Sequence, residues 1–195
     1  MKKITTILFV GLASIALVAC SSNTGKKEDS KASEAKTEQS SSSTATEDPN
    51  VSSEFKAALK KAKSYSKTVH LSKEGMVKQL TEFDKFPEDA VQYAVENAGI
   101  DWKKDAVEKA KSYSKTVHLS KEGMVKQLTE FDKFTDEEAQ YAAENAGIDW
   151  KKDAVEKAKS YQKTVGLSNE ALKNQLTEFD KFTDEEAQYA IDHLE

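Results

Sequence analysis

The chain has 195 residues, 29 basic and 34 acidic, with a net charge of −5 and one cysteine. Every basic residue is lysine, whereas arginine is the usual tool for bidentate contacts to phosphate and guanine; with the negative net charge, this argues against nucleic acid as a partner. A single cysteine, Cys20, excludes both a disulfide framework and a cysteine-rich metal site.

The N-terminus reads as an export signal. Lys2 and Lys3 precede the apolar run 7–19, which is too short and wrongly flanked for a lasting transmembrane helix. The run ends in Leu17-Val18-Ala19-Cys20, the pattern of a bacterial lipobox. Residues 1–19 are therefore expected to be a removed signal peptide, with Cys20 lipidated as the mature N-terminus. Its lipid would hold the protein on the outer face of the membrane. Residues 20–53 then form a tract rich in Ser, Thr, Lys and Glu, with Val51 as its one branched apolar residue and no aromatic. Such a tract cannot bury enough surface to fold. As a disordered tether it would span about 30–35 Å on average.

From residue 54 the chain repeats itself. Leu71 to Phe86 returns unchanged at Leu119 to Phe134 and, edited, at Leu167 to Phe182, an offset of 48 residues each time. A fixed period of this size marks a small supersecondary unit copied in tandem. The expected units are 54–101, 102–149 and 150–195. Each reads as three short helices, and the fold class is all-α: tandem three-helix, helix-turn-helix-like repeats after a disordered tether.

Within a unit, Asp101 or Asp149 caps the first helix, and Trp102, Ala106, Val107, Ala110, Tyr113 and Val117 fall on one face. The helix is expected to stop near His70 and its copies. Ser72 caps the second helix, with Leu71 packing on Met76 as a hydrophobic staple. Met76, Val77, Leu80 and Phe83 are expected on the inward side. Thr135-Asp-Glu-Glu138 and Thr183-Asp-Glu-Glu186 are capping boxes opening the third helix, and Pro87 opens it in the first unit. Asn97-Ala98-Gly99 and Asn145-Ala146-Gly147 close it with glycine in the left-handed region. With two or three residues between units, the array should be semi-rigid, with Trp102 and Trp150 cementing the joints.

Little here suggests catalysis or a cofactor. His70 and His118 are equivalent, but Gly166 stands in the third unit and His193 lies elsewhere, so no repeated metal site is expected. The histidines read as surface turn residues. Asp136, Glu137, Glu138, Asp184, Glu185 and Glu186 sit in first helical turns, where negative charge suits the helix dipole. They are also the candidate partner-binding residues. By count, residues 54–101 carry eight lysines and eight carboxylates, 102–149 eight and ten, and 150–195 seven and ten. The later units could thus attract a lysine-rich partner segment.

The lipobox Leu17-Val-Ala-Cys20, the tether, Ala58-Leu-Lys-Lys-Ala-Lys-Ser-Tyr65, Leu80-Thr-Glu, Glu138-Ala-Gln-Tyr-Ala142 and Glu186-Ala-Gln-Tyr-Ala-Ile-Asp-His-Leu194 resemble the Ltp family. These are host-cell-surface lipoproteins of Gram-positive bacteria and their prophages. With no nucleophile constellation or phosphate loop, the chain is expected to be non-enzymatic and monomeric, lipid-anchored through Cys20 to the outer face of the cytoplasmic membrane. The resemblance implies a three-helix repeat displayed outside the cell. It also implies superinfection exclusion, in which the repeats engage an incoming phage tape measure protein and block DNA injection. A wall-binding or adhesion module is the alternative reading.

Overall fold

The computed structural model describes residues 52–194, so the signal peptide, Cys20 and the tether up to residue 51 lie outside the described residues. The first unit comprises α1 (Ser53–Thr68), α2 (Lys73–Lys78) and α3 (Glu88–Asn97). The second comprises α4 (Trp102–Thr116), α5 (Lys121–Lys126) and α6 (Asp136–Asn145), and the third α7 (Trp150–Thr164), α8 (Asn169–Asn174) and α9 (Asp184–Asp192). Among the described residues all regular structure is helical, and none of these helices is long and apolar enough to cross a membrane.

Alanine spacing explains the packing. Ala106 and Ala110 on α4 face Ala139 and Ala142 on α6, all fully buried in one core cluster. Small side chains along facing helices bring the axes close. Met124 and Leu128 from the short middle helix then fill the remaining volume. The first unit uses Ala58, Ala62, Ala90 and Ala94 around Met76 and Leu80, and the third Ala154, Ala158, Ala187 and Ala190 around Leu172 and Leu176. Each unit therefore has its own small core. The predicted caps are present: Asp101, Ser120 and Thr135 each accept from a first-turn amide, and both capping boxes close in both directions. Gly99 and Gly147 have φ of 62° and 65°. Four residues rather than two or three connect consecutive units, because the third helix ends at the asparagine.

One feature of the middle helix departs from expectation. Beyond Lys78, Lys126 and Asn174 it widens into a π-helical turn, Gln79–Phe83 and its copies Gln127–Phe131 and Gln175–Phe179. Thr129 helps to open it by donating its hydroxyl to the Val125 carbonyl at 3.0 Å, in competition with the helical ladder. The turn ends with Lys85, Lys133 and Lys181 at φ of 61–64°, and the Phe134 amide closes it onto the Leu128 carbonyl at 2.9 Å.

The extra residue rotates Phe83, Phe131 and Phe179 out of the core, to exposures of 66%, 68% and 71%. The expected inward position belongs instead to the following phenylalanine: Phe134 and Phe182 are buried, and Phe86 packs on the first core. Val69, Val117 and Val165 are also exposed, because they lie beyond the last turn of their helices. Phe131→Ser is therefore expected to change stability by less than about 0.5 kcal/mol, whereas Phe134→Ala should cost about 3–5 kcal/mol. Urea unfolding of the two variants against the parent reads the difference directly.

Candidate functional site

The six acidic candidates occupy the N-termini of α6 and α9, where four already have work within the fold. Glu138 and Glu186 accept from the Thr135 and Thr183 amides at 2.9 Å, completing the capping boxes. Glu137 pairs with Lys103 at 2.7 Å and Glu185 with Lys151 at 2.6 Å. Those hydrogen bonds hold both carboxyls below their ordinary value. The same two lysines lie 5.4 Å from the ring centres of Tyr141 and Tyr189, clasping the first helix of the unit to its third. The first unit has Phe55 in place of the lysine, and its ring meets Tyr93 at 5.2 Å. Asp136 and Asp184 remain as exposed carboxylates of the first turn. The structure thus places the six as two equivalent sets of three in two successive units, each largely tied into its own unit.

A second group, at the joints, is built from residues that the sequence pattern did not nominate. Tyr113 donates to Asp132 at 2.8 Å, and Tyr161 to Asp180 at 3.1 Å, holding the end of each π-turn against the first helix. Burial, reinforced by the carboxylate, pushes both phenols up to about 12. The main-chain carbonyls of the same two aspartates face the preceding unit. Ser72 donates its hydroxyl to the Asp132 carbonyl and Ser120 to the Asp180 carbonyl, each at 2.5 Å, while also capping its own helix. Gly75 and Gly123 leave room for this approach: a Cβ at Gly123 would lie 3.0 Å from Ser120 Oγ and 3.6 Å from the Asp180 carbonyl.

His70 and His118 belong to the same joints, and they are half-buried rather than surface turn residues. His70 Nδ1 lies 3.2 Å from Asp105 Oδ1, and His118 Nδ1 lies 3.4 Å from Asp153 Oδ1. Both aspartates are 4% exposed, in the first turns of α4 and α7. Ser114 adds a bond to Asp153 Oδ1 at 3.0 Å, yet Oδ2 of each aspartate is buried without a partner. Burial raises the Asp153 carboxyl above its ordinary value against the opposing effect of Ser114 and His118.

Trp102 packs on the first unit's core and Trp150 on the second's, as expected of joint residues. The first and third units differ from the second at these positions. Ala57 stands where Asp105 and Asp153 stand, and Gly166 and Ala171 replace the histidine and the glycine. Those substitutions were the available signal, since a position at which a terminal unit departs from the central one can mark a face buried between units.

Among the described residues no group of three or more His, Cys, Asp or Glu is arranged to hold a metal ion. The clefts at the two joints are open and charged, with volumes of about 440 and 620 Å³. Fold and surface together define the class: a tandem three-helix repeat protein that presents faces and edges.

The chain belongs to the Ltp family, the host cell surface-exposed lipoproteins, whose profile matches three times, at residues 53–98, 101–145 and 149–194. Its place is accordingly the cell surface. Among solved structures it is similar to Ltp, a superinfection exclusion protein from the Streptococcus thermophilus temperate phage TP-J34. The two are 52% identical over 48% of this chain and 95% of that one, with a TM-score of 0.47. No curated protein matched.

Ser120 serves two units, whereas its copy Ser168 only caps α8, at 3.3 Å. Ser168→Ala should cost about 1 kcal/mol for the lost cap. Ser120→Ala should cost about 1–2 kcal/mol more, since it strands a carbonyl at the joint; urea midpoints for the pair would show equal losses if the joint bond contributed nothing. The tyrosines give a pH signature. Their raised values mean that the fold favours the neutral phenol, so this stability is complete below about pH 10 and is lost as pH rises towards 12. In an alkaline absorbance titration, Tyr113 and Tyr161 should ionise last, and Asp132→Asn should bring Tyr113 down.

Proposed function

We propose that this protein is a membrane-anchored superinfection exclusion factor. Residues 1–19 direct export, Cys20 carries the lipid that holds the chain to the outer face of the cytoplasmic membrane, and residues 20–53 extend the repeats from the bilayer. The repeats of 54–101, 102–149 and 150–195 then engage a protein of an incoming phage, the tape measure protein, and prevent DNA injection. The observation that carries this reading is the threefold match to the family of surface-exposed lipoproteins, one unit after another. The 52% identity with a superinfection exclusion protein of a streptococcal phage supports the same direction.

The geometry narrows what could touch a partner. Asp136 and Asp184 keep free first-turn carboxylates beside Glu137 and Glu185, whose lysine partners are surface side chains that a competing lysine could displace. Exposed ion pairs of this kind contribute little to the fold. Phe83, Phe131 and Phe179 add an exposed aromatic ring to every unit, and aromatic residues are common anchors at protein interfaces. Three units carrying the same features would add avidity where the partner offers repeated sites.

The decisive experiment measures phage adsorption and DNA injection separately in a sensitive Gram-positive host expressing the full chain or its Cys20→Ala form. Normal adsorption with blocked injection, lost in Cys20→Ala, is the expected result. Injection unaffected across a broad phage panel would sink the exclusion reading and favour adhesion, which a pull-down on purified wall material would then reveal. Binding to purified tape measure protein should weaken several-fold between low and high salt. It should also weaken in the Asp136→Asn, Asp184→Asn double variant; affinity indifferent to both would remove the electrostatic contribution.

A further inference from the structure

We infer that the first and second units each hold a docking groove between their middle and third helices, and that the third unit has its groove closed. The occupant is an amphipathic helix of the partner, laying an apolar face flanked by lysines into the groove. This rests on the reading of the repeats as the partner-binding part of the chain. In the first unit the groove has a volume of about 570 Å³, with Val77, Thr81 and Glu82 on one wall and Glu88, Val91 and Gln92 on the other. In the second, a groove of about 590 Å³ is lined by Val125, Thr129, Glu130 and Gln140, the copies of Val77, Thr81, Glu82 and Gln92. A half-buried valine lines both.

The third unit shows how such a groove is shut. Lys173 stands where Val77 and Val125 stand, and its ammonium donates to Gln188 Oε1 at 3.0 Å. Gln188 is the copy of Gln92 and Gln140, so this bond spans from the middle helix to the third. A charged side chain thereby covers the place where the other units offer valine. In the first unit Gln92 instead bonds to Glu96 along its own helix.

Shape and charge together select the occupant. A groove between two helices receives one face of a third through roughly three or four anchor side chains spaced by a helical turn. The first groove sets the charge: Glu82 and Glu88 stand at its rim against Lys85. Among the described residues neither carboxylate is engaged in an ion pair, so lysines beside the apolar face would be drawn in and carboxylates repelled. The second groove is balanced in charge and adds apolar reach. Past Glu122, Lys126 and Lys181 it runs into a hollow of about 180 Å³ that ends on Leu119 and the exposed ring of Phe179. That ring and Lys181 belong to the third unit, so the second groove is complete only when the two units are docked.

The test is methyl NMR of the full-length chain in detergent micelles, titrated with a synthetic amphipathic helix of leucine and lysine. Signals of Val77 and Val125 should shift while those of Val165, exposed beyond the end of α7, stay in place. The same peptide with its leucines scattered around the helix should move none of them. Val77→Lys and Val125→Lys import the residue that the third unit already carries, with Gln92 and Gln140 placed to receive it. Together they should weaken the peptide about tenfold. Lys173→Val should add a binding site, which keeps the inference open to refutation if the double variant folds poorly. Unmoved Val77 and Val125 signals, or unchanged affinity and stoichiometry across these variants, would overturn the grooves. So would self-association of the parent that the double variant abolishes, since the occupant would then be a second copy. In a phage-sensitive host, a parent and a surface-displayed double variant that block injection equally would remove the grooves and leave exclusion standing. A parent that blocks no phage but shows the peptide shifts at Val77 and Val125 would remove exclusion and support the grooves.

Discussion

A 48-residue helical unit has little apolar volume with which to cover its own small core, and the rest of this structure depends on that shortage. Alanine seams between the first and third helices bring the backbones close but bury little apolar area per residue. The middle helix contributes two large side chains to the centre of each core, Met76 and Leu80 in the first unit and Met124 and Leu128 in the second. The remaining cover comes from the junction with the next unit, where Ile100 and Trp102 pack on the first core and Ile148 and Trp150 on the second. In the third unit Ile191 and Leu194 pack on the core at the corresponding end. Small domains are marginal because so much of their surface remains in water; stacking units is the remedy, as in other repeat proteins.

Apolar cover alone would let neighbouring units slide. Position is set by polar contacts whose directions are narrow: a serine hydroxyl on a carbonyl of the next unit, and an imidazole on a buried carboxylate. Both depend on features that look local. The serine is a helix cap, and the carbonyl is presented because a π-turn ends at an aspartate tied down by a tyrosine. The π-turn therefore has two consequences at once. It turns one phenylalanine inward and its predecessor outward, and it builds the ledge that the preceding unit grips.

On a cell-surface protein this economy leaves a defined exposed remainder. Most charged groups that the repeats place near helix starts are engaged in caps or clasps, so the exposed remainder is small and periodic: an acidic first turn and an aromatic ring, returned from unit to unit. In a chain without arginine, recognition has to come from lysine, carboxylates and such rings.

The repeat period, the helix caps, the glycine stops and the tryptophan joints are legible in the sequence because each rests on interactions within a few residues or on a periodic apolar face. Thr135 and Glu138 announce their helix whatever surrounds them. Phe131 and Phe134 could not be told apart in that way. Their burial depends on one additional residue per turn, a choice made by backbone bonding and by core volume together. The histidines were misleading for a related reason. A polar residue at a helix end looks like a surface turn until the next unit, 35 residues on, brings a buried aspartate against it. Local chemistry determined the elements and their order; which side chains face water and which meet across a joint was decided only when three separate cores had to be covered by one chain.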